Sequence, residues 1–226
     1  MVSASAPEAG RVPVLHYVFD PLCGWCWGAA PLLQATAAQL PGLSLVLHGG
    51  GLFAGAARRP ITPELRAYVQ PHDRRIQALS GQPFGSGYTD GLLREPDAVL
   101  DSEPPITAVL AASELGGAHA GLALLERVQR AHYVEGRRIA EPAVLLGLAC
   151  EQGLDGAAFE AAYERLSGAA TQAHLRESRA LMQTGGVQGF PSLLLEAPDG
   201  RLLRLDHARY YGDPQAWVQA LAQALA

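Results

Sequence analysis

The chain is 226 residues long, 49% hydrophobic and 17% charged, with a formal net charge of −5. That length and balance suit one large domain or a domain carrying an insertion. The acidic excess argues against a general attraction to nucleic acid or an anionic membrane, and Arg58-Arg59 and Arg137-Arg138 are too short to make a basic face.

Residues 1–11 (MVSASAPEAGR) lack the basic segment and apolar stretch of a secretory signal and read as a disordered lead. No uninterrupted apolar run approaches the roughly 18 residues of a spanning helix. The expected compartment is the cytoplasm, where thiols are kept reduced. Residues 12–19, rich in β-branched and aromatic side chains, read as a buried strand. A turn follows, then a helix over residues 27–39 that stops at Leu40-Pro41-Gly42. Residues 43–48 read as a second strand, ended by Gly49-Gly50-Gly51 as a loop. Strand, helix, strand favours a parallel pair.

From Thr62 to about Thr184 helical periodicity dominates. Thr62-Pro63 supplies a cap with proline at the first helical position, and Asp101-Ser102-Glu103-Pro104-Pro105 leads into a helix over 108–115. Further helices are expected over 120–133, 142–152, 156–166 and 172–184, with breaks such as Gly116-Gly117 and Gly153. Strand signals return at 192–196 and 202–205, joined by the tight-turn sequence Ala197-Pro198-Asp199-Gly200. Asp213-Pro214 then caps a last helix. The order describes a split α/β domain, 12–58 with 185–226, around a helical insertion, 59–184.

Two of the three cysteines, Cys23 and Cys26, fall in the turn after the first strand, in the string DPLCGWCWG. A structural zinc site needs about four ligands, and neither Cys150, in an apolar helical setting, nor His16, His48 and His207 offers a matching pair. A static disulfide conflicts with the expected compartment. A reactive pair fits the position. Where a strand turns into a helix, the first sulfur meets unpaired backbone N–H groups and the positive end of the helix dipole. These favour the thiolate, the attacking species in disulfide exchange. Cys26, three positions on, shares the helical face and can resolve a mixed disulfide. Cys23 is therefore the expected nucleophile and Cys26 the resolving thiol.

Val187-Gln188-Gly189-Phe190-Pro191-Ser192 places proline directly before an apolar strand, where its missing N–H is tolerated. Together with Phe19 to Gly28, this segment resembles the DsbA-like branch of the thioredoxin superfamily, especially its FrnE-type oxidoreductases and disulfide isomerase-like proteins. Residues 101–109 and 131–136 look like that group's helical insertion, and the resemblance spans about residues 12–225. It implies a thioredoxin-like fold, βαβ then ββα, interrupted by an all-helical domain, with a cis peptide between Phe190 and Pro191. It implies a thiol–disulfide oxidoreductase or isomerase. Gly24, Trp25 and Asp20 would then shape the active-site turn, and Gly189, Phe190 and Pro191 would hold an extended substrate. The expected partner is a thiol- or disulfide-containing protein or a small thiol, with no nucleic acid, membrane or metal. No cofactor is implied beyond the redox-active disulfide, and glutathione stays open as a co-substrate. Monomer and homodimer are both compatible with the chain.

Tyr17 stands where many thioredoxin relatives carry a buried acid, six residues before the nucleophile. Asp20 is expected to shape the turn, with a proton-shuttling role as the lesser reading. Trp27 is expected to pack in the core or at its rim, and Trp25 to lie over the sulfurs and meet substrate. Cys150 is expected to be a small buried hydrophobe, and His16 and His48 satisfied core histidines. Two other classes stay open. One is a glutathione-dependent isomerase or transferase of the kappa or hydroxychromene-carboxylate isomerase type, which typically carries Ser at the nucleophile position. The other is a non-catalytic client-binding module.

Overall fold

The first strand, β1 (Val14–Phe19), pairs in parallel with β2 (Ser44–Gly49) through helix α1 (Gly24–Gln39). This is a computed structural model, and it describes residues 12–225. The expected lead at 1–11 lies outside the described residues. β5 (Ser192–Glu196) runs antiparallel on the other side of β1, and β6 (Leu202–Arg204) pairs with β5 through a turn at Gly200. The four-stranded order β2-β1-β5-β6 is completed by α7 (Pro214–Leu225), capped by Asp213 Oδ1 accepting from the Ala216 N–H. This is a thioredoxin-like arrangement, a mixed α/β sheet carrying a helical insertion.

Strand alternation divides the sheet's two faces. Leu15, Tyr17, Leu193 and Leu195 join Leu33 of α1 and Trp217 and Leu221 of α7 in one buried cluster. Val18 and Leu194 join Met182 and Val187 in another. The register Val18↔Ser192 decides where the site forms. It sets Pro191, one residue before β5, beside the chain leaving β1 toward the cysteine turn.

Between β2 and β5 lie α2 (Pro63–Ser80), α3 (Glu103–Tyr133), α4 (Pro142–Glu151), α5 (Gly156–Leu166) and α6 (Ala169–Thr184). α3 is interrupted at Gly116 and Gly117, whose φ/ψ of −137/16 and 74/−178 are not helical, as the sequence break implies. One stretch of α3 reaches a mean hydropathy of 1.4, enough for a membrane span by length and composition. The packing gives that apolarity another use. Ile106, Val109, Leu122 and Leu125 join the sheet's cluster, while Ala108, Leu124 and Val128 join a second core with α4 and α5.

Two local features depart from the sequence reading. α1 begins at Gly24, three residues earlier than expected, because Cys23 takes an extended conformation (φ −94, ψ 112) and starts the helix itself. A two-stranded ribbon, β3 (Arg59–Pro60) with β4 (Val99–Leu100), lies inside the block read as helical. Two-residue strands carry too little pattern to be seen in sequence.

Pro31 lies inside α1 and supplies no N–H to the carbonyl four residues before it, that of Trp27. Gln82, just past α2, fills the gap: its Nε2 donates to Trp27 O at 3.1 Å. The same region is fixed again by the Trp27 indole N–H donating to Pro83 O at 3.0 Å. Gln82→Ala leaves the Trp27 carbonyl without its partner. The expected loss is about 1–3 kcal/mol of stability, read as a lower denaturant midpoint with an unchanged slope.

Candidate active site

Cys23 caps α1, and its carbonyl accepts from Cys26 N at 2.9 Å and Trp27 N at 3.1 Å. Both cysteines are thiols and both are buried, Cys26 completely and Cys23 with 7% of its surface exposed. The Cys23 Sγ donates to the Phe190 carbonyl at 3.4 Å, and the Phe190–Pro191 peptide is cis. The β1–β5 register thus brings together two motifs 167 positions apart.

Gly50 makes this approach possible. A Cβ there would stand 2.0 Å from the Phe190 ring, so a side chain at residue 50 and the present Phe190 position exclude each other. Gly189 has a φ of +78, the left-handed region that glycine adopts readily, and its carbonyl accepts from Ser192 Oγ at 2.9 Å.

Cys26 Sγ lies inside, where it accepts from Asp20 N at 3.4 Å. Burial pushes the Cys26 thiol up, and the neighbouring Cys23 sulfur adds in the same direction. Tyr17 is buried beside it; its hydroxyl is close to the Cys26 sulfur but makes no hydrogen bond of good geometry. Burial, with both sulfurs nearby, raises the Tyr17 phenol well above its ordinary value.

The fully buried Asp20 does more than shape the turn. Oδ1 accepts from Leu22 N (2.9 Å) and Ser102 Oγ (3.0 Å), and Oδ2 accepts from Leu52 N (2.7 Å). One carboxyl group therefore joins the cysteine turn, the loop after β2 and the start of α3. Burial pushes it up to about 6 against these donors.

Trp25 is half-buried, with the Tyr211 ring 5.6 Å away and the Arg75 guanidinium 5.9 Å from its own centroid. It lines two depressions. One, of about 310 Å³, runs along Phe190, Pro191, His207 and Tyr211. The other, of about 780 Å³, opens between the start of α1 and α2 and is lined by Cys23, Gly24, Leu52, Phe53, Tyr68 and Asp73, among others. Gly24 permits the close packing of α2, since a Cβ there would meet the Ile76 side chain at 2.9 Å.

Other residues fall elsewhere. His16 hydrogen-bonds His48 (2.9 Å) and Glu196 (3.0 Å), so both histidines are satisfied as expected, but they are half-buried rather than in the core. Trp27 is buried and stacks on Tyr133. Cys150 is exposed, contrary to the expectation of a buried side chain. α4 buries Leu145, Leu148 and Ala149, and Cys150 turns away from that face. The insertion's contribution, Tyr68 and Asp73 above all, was missed. The available signal was Asp73 at core-facing spacing with Val69, Ile76 and Ser80.

Residues 14–208 match the DSBA-like thioredoxin domain. The chain belongs to that family. It is a DsbA-like oxidoreductase of the thioredoxin superfamily. It is similar to the cytosolic disulfide reductase DsbM from Pseudomonas aeruginosa, with 52% identity, a TM-score of 0.85, and coverage of 94% of this chain and 98% of that one. A second structure of DsbM, with GSH, matches at 50% identity and a TM-score of 0.83, covering 94% and 98% of the two chains. A candidate protein disulfide isomerase from Nitrosomonas europaea shares the fold at 24% identity and a TM-score of 0.77, covering 95% and 97%. No curated protein matches the chain.

Gly50→Ala should displace Phe190 from Cys23 and cost about 1–3 kcal/mol, by analogy with overpacking of a core; thermal melts and the Cys23 alkylation rate check both effects. Asp20 gives a pH signature. Its folded value of about 6 exceeds the reference of 3.8, so the folded chain holds a proton that the unfolded chain releases between them. The associated stability is complete below about 3.8 and lost as pH rises through about 6. Across that window the stability difference should move toward Asp20→Asn, against wild type, by about 2–3 kcal/mol. Parallel denaturant titrations at each pH measure it.

Proposed function

We propose that the chain is a thiol–disulfide oxidoreductase acting through Cys23 and Cys26, working as a reductase in the cytoplasm with glutathione as its thiol partner. The observation that carries this is the Cys23 sulfur at the start of α1, facing the Phe190 carbonyl beside cis-Pro191 and opening onto a cavity. The reductive direction, the compartment and glutathione draw support from similarity to DsbM, described as a cytosolic disulfide reductase and solved with GSH.

In this reading the Cys23 thiolate attacks one sulfur of a substrate disulfide and the other sulfur leaves as a thiolate. Cys26 then attacks the Cys23 sulfur of the mixed disulfide, releasing the second thiol and closing the Cys23–Cys26 disulfide. Glutathione thiolates reopen it in two further exchanges, yielding glutathione disulfide. The division of labour follows from burial. Cys23 lines the cavity, whereas fully buried Cys26 is reached only by a sulfur already bound to Cys23. Phe190 and Pro191 present a groove edge along which an extended substrate can lie.

Cys23→Ser should bring glutathione-dependent reduction of a small disulfide to background. Cys26→Ser should instead accumulate a glutathione adduct on Cys23, seen as a mass increase that dithiothreitol reverses. Disulfide reduction retained by Cys23→Ser overturns the assignment.

A further inference from the structure

The position six residues before Cys23 is Tyr17, not an acid, and both oxygens of Asp20 are engaged by Leu22, Ser102 and Leu52 on the Cys26 side. Neither is a carboxyl group free to serve the cavity where substrate meets Cys23. Asp73 of α2 is such a group. It lines the same cavity as Cys23 and Gly24, with its residue only 7% exposed. The Tyr88 hydroxyl donates to Oδ2 at 3.2 Å. Oδ1 lies toward the active-site turn, 3.4 Å from where a Cβ on Gly24 would stand.

We propose that Asp73 is the general acid of the first exchange, protonating the thiolate that leaves when Cys23 attacks a substrate disulfide. This rests on Cys23 being the nucleophile. The step balances as follows. The Cys23 thiolate forms a new S–S bond to one substrate sulfur, and the old S–S bond breaks with its electron pair on the other sulfur. Asp73 transfers its proton to that sulfur, giving a neutral thiol and a carboxylate. Water entering through the cavity mouth restores the proton. In the reverse exchange the same carboxylate removes a proton from the incoming thiol.

The environment suits the role. Burial pushes the Asp73 carboxyl up to about 7, against the lowering influence of the Tyr88 hydroxyl and Arg74. An acid that titrates near the working pH balances availability of its proton with ease of transfer. The groups facing it are Tyr88 from the turn 87–91, Tyr133 from α3 and Cys23 from α1. His72 and Arg74 flank it on its own helix, and Arg59 and Glu64 line the same cavity.

The test is single-turnover oxidation of pre-reduced full-length protein by two probes, bis(2-hydroxyethyl) disulfide and 5,5′-dithiobis(2-nitrobenzoate). The alkyl thiolate leaving from the first is strongly basic and needs a proton; the aromatic thiolate leaving from the second does not. Asp73→Asn is expected to slow the alkyl disulfide by about 10–100-fold and the aromatic one by less than about 3-fold. With the alkyl probe, wild type should lose rate as pH rises through about 7, and Asp73→Asn should lack that limb. Tyr88→Phe keeps the carboxyl but removes a hydrogen bond that lowers its pKa, so it should move the limb to higher pH. Equal slowing of both probes by Asp73→Asn, or a limb that neither variant alters, overturns the proposal. If Asp73→Asn fails to fold, the limb in Tyr88→Phe decides. Cys23→Ser separates the two readings: activity surviving in it defeats the nucleophile assignment, whereas a dead Cys23→Ser beside an Asp73→Asn indifferent to the leaving group defeats the general acid alone.

Discussion

The Asp20 carboxyl group holds together parts of the chain that local structure would leave independent. Its oxygens take the Leu22 N–H of the cysteine turn, the Leu52 N–H of the loop after β2 and the Ser102 hydroxyl at the head of α3. Ser102 Oγ in turn accepts from Phe53 N, closing a small network around a group with no exposed surface. Burying a carboxyl is costly, and three donors offset that cost only while all three segments are in place. The loop after β2, the cysteine turn and the head of α3 are thereby joined beside Cys23 and Cys26, and Asp20's own N–H reaches the Cys26 sulfur.

The site has two walls of different origin. The Phe190–Pro191 wall is supplied by the β1–β5 register and by the space that Gly50 leaves for the Phe190 ring. The opposite wall is supplied by α2, pressed against Gly24 through Ile76 and brought close enough for Asp73 to line the cavity with Cys23. Gly24 therefore fits inside a helix start for a tertiary reason. A larger residue would have to displace the Ile76 side chain that packs α2 against the turn. Trp25 lines both depressions.

Burial sorts the two thiols and the acids around them. Cys23 lines the cavity, whereas Cys26 has no exposed surface. Desolvation raises Cys26, Tyr17, Asp20 and Asp73 alike, because each is taken from water without an opposite charge strong enough to compensate. The consequence differs with position. Asp20 has its oxygens committed to donors and acts as a structural tie, whereas Asp73 keeps one oxygen toward Gly24 in the cysteine turn.

Sequence alone determined the strand–helix–strand start, the cap at Thr62, the break at Gly116-Gly117, the final hairpin and helix, and the candidate pair Cys23 and Cys26. These rest on period, capping and spacing, which are properties of neighbours along the chain. It placed the start of α1 too late, because whether Cys23 ends the turn or starts the helix is a backbone choice with no side-chain signature. It buried Cys150, because an apolar helix does not say which face meets the core. It gave no role to Asp73 or Gly50, since their partners, Gly24 and Phe190, are distant in sequence. The tertiary structure decided those points. An antiparallel register and one close helix approach place groups within a few ångströms, and a one-dimensional pattern records neither.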